Sequence, residues 1–350
     1  MKKLFDFDDL LITPTTISPI SSRSEINVRN SDGYLPLLTA PMDTVITEKN
    51  FKLFESNGII PVLPRIPNTT SDWVDTSLFL SYGLDDFNNI FIENTPFIPD
   101  GEKVYALIDV ANGHMEKLLT LSKLAKEKYG KSMVLMVGNV ANPETFKEYC
   151  KINVDMVRIG VGNGGGCLTT VQTGVGYPMA SLIDECKKIR GPHLTKIVAD
   201  GGFKKYSDII KALALGADYV MLGSILNKCL ESAGETHRKS DYPIPNQWET
   251  INQYTEDARE MYNSGIELTK VFRGMSTKEV QKSWGREVLK TSEGVVRRNK
   301  VEYTLDSWVQ NFEDYLRSAM SYCGKTELHR FIGGVEVNMI SENSFRRFDK

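Results

Sequence analysis

Short apolar runs recur along the chain, with polar and amphipathic stretches between them. The runs are "LPLLTA" (35–40), "GIIPVL" (58–63), "KVYALIDV" (103–110), "SMVLMVGNV" (132–140), "MVRIGVG" (156–162), "KIVADGG" (196–202), "DYVMLGS" (218–224) and "KVFRGMS" (270–276). Few of them alternate apolar with polar positions, which is the pattern of strands buried on both faces of a parallel sheet. The intervening stretches read as helices. Residues 114–129 carry Met115, Leu118, Leu119 and Leu121 on one stripe, and Gly130 can end that helix. Asn142 is placed to cap a helix over 142–151, with Pro143 in its first turn. Ser207 can cap "DIIKALAL", and Gly216 can close it. Eight strand–helix units predict an α/β fold, a (β/α)8 TIM barrel, as a single domain over 1–350. A doubly wound open sheet is the alternative.

Almost every run ends in small or polar residues, and barrel enzymes build their sites at those C-terminal strand ends. The fifth run leads into the most unusual of them, "GVGNGGGCLTT" (160–170). Gly160, Gly162 and Gly165 formally match GxGxxG, but a dinucleotide fingerprint leads directly into a helix, and here "CLTTVQTGVGYP" intervenes. The glycines instead suggest main chain brought close to a ligand, with Cys167 projecting from the loop as a candidate nucleophile. Cys150, Cys186, Cys229 and Cys323 read as small buried hydrophobes. His114, His193, His237 and His329 are scattered, so the sequence assigns the thiol no histidine partner. "ADGG" (199–202) adds the Asp200 carboxylate and "LGS" (222–224) adds backbone donors and a hydroxyl, a combination that commonly binds phosphate at late barrel strands. Together these groups suggest a nucleotide held over a thiolate.

Composition narrows the classes. A net charge of -3 and a pI near 5.9 leave no broad basic field, so no nucleic-acid partner is expected. The short basic run "RRNK" (297–300) reads as solvated surface. No CxxC pair indicates a zinc site or disulfide scaffold, and a reducing, cytoplasmic setting fits. Asp6, Asp8 and Asp9 interrupt the first apolar residues, so neither a secretory signal nor a membrane partner is expected.

The chain resembles the IMP dehydrogenase and GMP reductase family along nearly its whole length. The matching stretches are "LTAPMDTV" (38–45), "DVANGH" (109–114), "GNVAN" (138–142), "GVGNGGGCLTT", "TGVGYP" (173–178), "VADGG" (198–202), "YVMLGS" (219–224), "RGMS" (273–276) and "SEG" (292–294). Four features resemble the GMP reductase branch. Only about 40 residues separate Arg65 from Val104, so no regulatory domain is inserted there. "DVANGH" and "TGVGYP" are reductase-like, and the segment from "RGMS" to "SEG" lacks the Arg-Tyr pair of the dehydrogenases.

The resemblance implies NADPH-dependent reductive deamination of GMP to IMP through a covalent thioimidate on Cys167, with Thr169 and Glu293 handling the leaving-group proton. It implies Asp200, Gly201, Gly202, Gly223, Ser224, Gly274, Met275, Ser276, Lys290 and Gly294 for the purine nucleotide. For NADPH it implies Ser22, Arg23, Arg65, Asp109, Val110, Ala111, Met275, Ser318 and Ser321, and for potassium the carbonyls of Gly162, Gly164 and Cys167. A homotetramer and a mobile active-site segment over about 277–303 are implied as well. The sequence departs from the family at Asn163, Gly164 and Gly165, where Pro-Gly-Ser is usual and the serine touches phosphate. Thr170 and Lys290 stand where Arg is usual, and Arg65 where Lys is usual. An IMP dehydrogenase without its regulatory domain and a non-catalytic nucleotide-binding barrel are the alternative readings.

Overall fold

The computed structural model describes residues 1–65, 77–239, 248–283 and 294–348. Eight parallel strands close into a (β/α)8 barrel: β1 (Leu37–Thr39), β2 (Val62–Leu63), β3 (Phe79–Tyr82), β4 (Val104–Asp109), β5 (Met133–Val140), β6 (Met156–Ile159), β7 (Lys196–Asp200) and β8 (Tyr219–Leu222). β8 pairs back with β1 through Leu38 and Met221. β1 meets β2 at Leu38 and Ile60, where Thr39 N–H donates to Ile60 O (3.1 Å) and Ile60 N–H donates to Leu37 O (3.0 Å). This closure excludes the open sheet.

The apolar runs are explained by what they bury. Leu38, Val62, Phe79, Leu107, Met136, Met156, Val198 and Met221, one from each strand, fill the barrel interior. Their strand neighbours Leu37, Leu80, Ile108, Val137, Val157, Ile197 and Val220 point outward under the helices. A strand apolar on both faces cannot alternate.

Seven of the expected strands are present, but the eighth is a different one. β3 was hidden because its serine reads as polar, whereas the Ser81 hydroxyl is buried and donates to Leu63 O (2.7 Å). The expected strand at 270–276 lies outside the barrel. An antiparallel sheet is built from β9 (Thr236–Lys239), β10 (Trp248–Ile251), β11 (Leu268–Arg273) and β12 (Val296–Lys300), in the order β10-β9-β11-β12. The glycine–cysteine loop therefore follows the sixth barrel strand, not the fifth. Within the segment 277–303, Lys278–Ser283 is helical and Val296–Lys300 is strand, so the "RRNK" run is part of a sheet in which Asn299 is buried.

The helices follow the sequence closely. α1 (Glu116–Tyr129) ends at Gly130, whose φ of 52° suits a residue without a side chain. α2 (Pro143–Lys151) starts as expected, with the Asn142 side chain accepting from Glu144 N–H (2.9 Å). α3 is Met179–Arg190. α4 (Tyr206–Leu215) begins before Ser207. Its N-cap position is Lys205, and Asp208 in the first turn reaches back, its carboxylate accepting from the backbone N–H groups of Lys204 (2.9 Å) and Lys205 (3.0 Å). α5 (Leu305–Tyr322) lays Trp308, Phe312 and Leu316 on the core.

In the outer sheet, Lys270 is fully buried, with Nζ donating to Ser232 O (2.7 Å), Gly234 O (3.3 Å) and Thr236 Oγ1 (2.7 Å). Burial pulls its pKa down to about 7. Between that value and the ordinary lysine range the unfolded chain holds a proton that the folded chain has lost, so stability rises with pH across that window. Urea unfolding at pH 7, 8 and 9 should show this rise in the natural protein, at up to ~1.4 kcal/mol per pH unit. Lys270→Met should remove it, and identical slopes in both proteins would contradict the assignment.

Candidate active site

The site lies where the C-terminal ends of β6, β7 and β8 meet the start of β12. After β7 the chain turns at Gly201, whose φ is 87° and where a Cβ would lie 2.8 Å from the Gly164 nitrogen. Only bare backbone lets that turn press against the glycine loop. On the other side, a Cβ at Gly274 would lie 2.6 Å from Gly166 O and 3.0 Å from the Gly294 Cα. Val295 N–H donates to Gly166 O (3.1 Å), Gly274 N–H donates to Val295 O (3.0 Å), and Cys167 bridges Gly294 as in an antiparallel ladder. The loop is thus clamped between the barrel and the outer sheet.

Cys167 is half-buried at the end of this clamp. Its N–H donates to Gly164 O (2.9 Å), and its thiol donates to Thr169 Oγ1 (3.2 Å). The other four cysteines are buried, and burial pushes their thiols up, away from the reactive thiolate form. His114 is engaged elsewhere, with Thr145 and the Ala141 N–H.

Beneath the loop, the Arg158 guanidinium lies between Asp109 Oδ1 (Nη1, 2.7 Å) and Asp200 Oδ2 (Nε, 2.9 Å). Burial disfavours its charge, but the two carboxylates outweigh burial and hold its pKa above the ordinary arginine value. Asn139 Nδ2 donates to the same Asp200 oxygen (2.8 Å) and to Gly160 O (2.8 Å). Arg65 in turn contacts the Asp109 carbonyl, with Nε 3.7 Å from Asp109 Oδ2. Arg158 and Asn139 were not among the sequence-derived candidates. The readable signal was an arginine inside the apolar run "MVRIG".

The fold therefore brings together Cys167, Thr169, Asp200, Gly201, Ser224, Gly274, Ser276 and Gly294. A Cβ at Gly165 would lie 3.5 Å from Ser224 Oγ, and one at Gly294 would lie 3.1 Å from Ser276 Oγ. Gly202 packs on Asn163, and Gly223 packs on Met42. Met275 is partly open between its neighbours, Ala111 is exposed and Val110 is almost buried. Ser22, Arg23, Ser318 and Ser321 form a separate group. Ser22 caps the exposed turn Arg23–Glu25, and Ser18 Oγ donates to Ser321 O (2.7 Å), so that segment rests on α5 and not on the cysteine loop. Glu293 and Lys290 lie outside the described residues.

For a cation, no cluster of His, Cys, Asp and Glu side chains is present among the described residues. The loop offers carbonyls, those of Gly162, Gly164 and Cys167, and Asn163 Oδ1 is buried there without a hydrogen-bond partner. A hard monovalent cation suits such an all-oxygen set, and the orphaned amide oxygen is what one would satisfy. A wide cavity of about 1250 Å³ opens at the other end of the barrel between Phe79, Tyr105, Met156 and Lys196, away from this chemistry. Among the described residues no helix is long and apolar enough to cross a membrane.

Residues 101–243 match the family model described as IMP dehydrogenase / GMP reductase domain. A GMP reductase from Lactobacillus delbrueckii subsp. bulgaricus is 30% identical over 341 residues, covering 93% of this chain and 91% of that protein. The chain belongs to the IMP dehydrogenase and GMP reductase family. A GMP reductase from Buchnera aphidicola is 27% identical over 342 residues, with 92% and 90% coverage. An inosine-5'-monophosphate dehydrogenase from Chlorobaculum parvum is 36% identical over 217 residues, covering 62% of this chain and 41% of that protein. The long matches to reductases cover 92% and 93% of this family member, whereas the dehydrogenase match covers 62% of it.

Replacing Arg158 by glutamine would leave two mostly buried carboxylates facing each other beneath the site. Removing one partner of such a pair costs about 3–5 kcal/mol. Urea unfolding of Arg158→Gln should show a loss of that order, and near-wild-type stability would mean that the network contributes little.

Proposed function

We propose that the chain is a GMP reductase, converting GMP to IMP and ammonia with NADPH. The observation that carries this reading is the Cys167 thiol hydrogen-bonded to Thr169 Oγ1 at 3.2 Å, on a loop clamped at the strand ends. The Cys167 thiolate attacks C2 of the guanine, a C–S bond forms, and the 2-amino group departs. Amide ion is a poor leaving group, so the amine must take a proton as it goes. Thr169 lies beside the sulfur and can pass that proton on, and Glu293, which precedes Gly294 in sequence, is its proposed source. NADPH, when bound, supplies hydride to C2. The C–S bond then breaks, Cys167 regains its electron pair, and IMP is released.

The other residues hold the reactants. Asp200 has one carboxylate oxygen committed to Arg158 and Asn139, and its second would accept from the ribose hydroxyls. Ser224 and the bare backbone of Gly201 and Gly202 would take the phosphate, while Gly274, Met275, Ser276 and Gly294 would line the base. Ala111 and Met275 would face the nicotinamide, with Arg65 steadied by Asp109. Arg23, exposed beside Ser22, would meet a phosphate of the cofactor. The carbonyls of Gly162, Gly164 and Cys167 would hold potassium and fix the loop.

A second reading, IMP dehydrogenase, draws on the 36% identity to the Chlorobaculum enzyme. One assay separates the two. GMP with NADPH should lose nicotinamide absorbance, and IMP with NAD should gain none. The opposite result would establish the dehydrogenase, and silence in both would leave a binding protein. Cys167→Ala should keep GMP affinity and lose turnover, and a quenched wild-type reaction should carry a purine adduct on Cys167 by mass spectrometry. Substantial activity in the alanine variant would sink the covalent mechanism. Glu293→Gln should slow ammonia release by about 10²–10⁴-fold, measured in single turnover beside NADPH oxidation. A defect confined to hydride transfer would end its role in the proton path.

A further inference from the structure

Arg297, at the start of β12, lies opposite Phe272 of β11. The side chain is exposed, and its guanidinium lies over the Phe272 ring, 5.0 Å from the centroid. Phe272 itself is buried, and a Cβ at Gly166 would lie 2.8 Å from that ring. Ring, guanidinium and glycine loop therefore pack against one another. A Cβ at Gly165 would sit 3.3 Å from Arg297 Nη2 and 3.5 Å from Ser224 Oγ. Because Gly165 has no side chain, the guanidinium and the hydroxyl face the same small space at the ends of β6 and β8.

The chemistry of that space is anionic recognition. Loops after the last barrel strands commonly bind phosphate. Stacking on an aromatic ring fixes the plane of a guanidinium, and its two parallel N–H groups then match two oxygens of one phosphate. The neighbouring basic residues are otherwise engaged, Arg298 over Trp248 and Arg238 with Glu249. No carboxylate among the described residues pairs with Arg297.

We propose that Arg297 joins Ser224 in clamping the 5'-phosphate of the nucleotide. The identity of the nucleotide rests on the GMP reductase reading, whereas the phosphate clamp does not. The test compares the natural protein with Arg297→Gln and Arg297→Lys. Arg297→Gln should raise the KM for GMP about 10–100-fold with kcat little changed. Arg297→Lys should fall between, keeping the charge but not the fork. Turnover of guanosine, which has no phosphate, should be the same in all three. A parallel titration with ribose 5-phosphate by calorimetry reads binding without catalysis, and thermal unfolding confirms that the variants fold. An unchanged KM for GMP, or an equal proportional loss with guanosine, would overturn the clamp while leaving the reductase standing. Ribose 5-phosphate binding that Arg297→Gln abolishes, in a protein that does not reduce GMP, would keep the clamp and remove the reductase. Absence of ribose 5-phosphate binding to the natural protein would overturn the clamp.

Discussion

A nearly buried arginine between two carboxylates holds the working end of this barrel together. Arg158 projects from β6, Asp109 ends β4 and Asp200 ends β7. Asn139 of β5 joins Asp200 to the first carbonyl of the cysteine loop. Four consecutive strand ends are thereby fixed relative to one another by charge-assisted hydrogen bonds in a region from which water is largely excluded, where such bonds are strongest. The glycine loop starts two residues after Arg158, so its origin is set by the same contacts. Without that anchor, the close approach of Gly201 to Gly164 would have no fixed frame.

A second constraint acts from above. A backbone hydrogen bond ties Gly166 to Val295, and a cysteine–glycine bridge joins the loop to the chain just before β12. Cys167 is therefore held between two independent scaffolds, the barrel and an antiparallel sheet. This explains the use of glycine on both sides of the contact. At Gly201 and Gly274 a single methyl group would strike backbone, which cannot move aside as a flexible side chain can.

Much of this was legible in the chain. The barrel could be read because its strands are buried on both faces, which turns each into an unbroken apolar run. β3 escaped because one serine interrupts it, and that serine is satisfied by a carbonyl on the preceding strand β2, a contact no local pattern reveals. β11 was misassigned for the converse reason, since an apolar run containing a buried lysine looks the same whether its partners are parallel or antiparallel. The cysteine loop was legible because glycine is a local signal of close approach. Arg158 and Arg297 were not, because their roles depend on Asp109, Asp200 and Phe272, which are far away in sequence. The second of these looked like ordinary solvated charge.

The packed layer inside the barrel has a kinetic consequence. Leu38, Val62, Phe79, Leu107, Met136, Met156, Val198 and Met221 close the bore completely enough that the barrel is a plug and not a passage. The wide opening at the other end cannot serve as an exit for anything made above the plug. Whatever binds at the strand ends arrives and departs through one mouth.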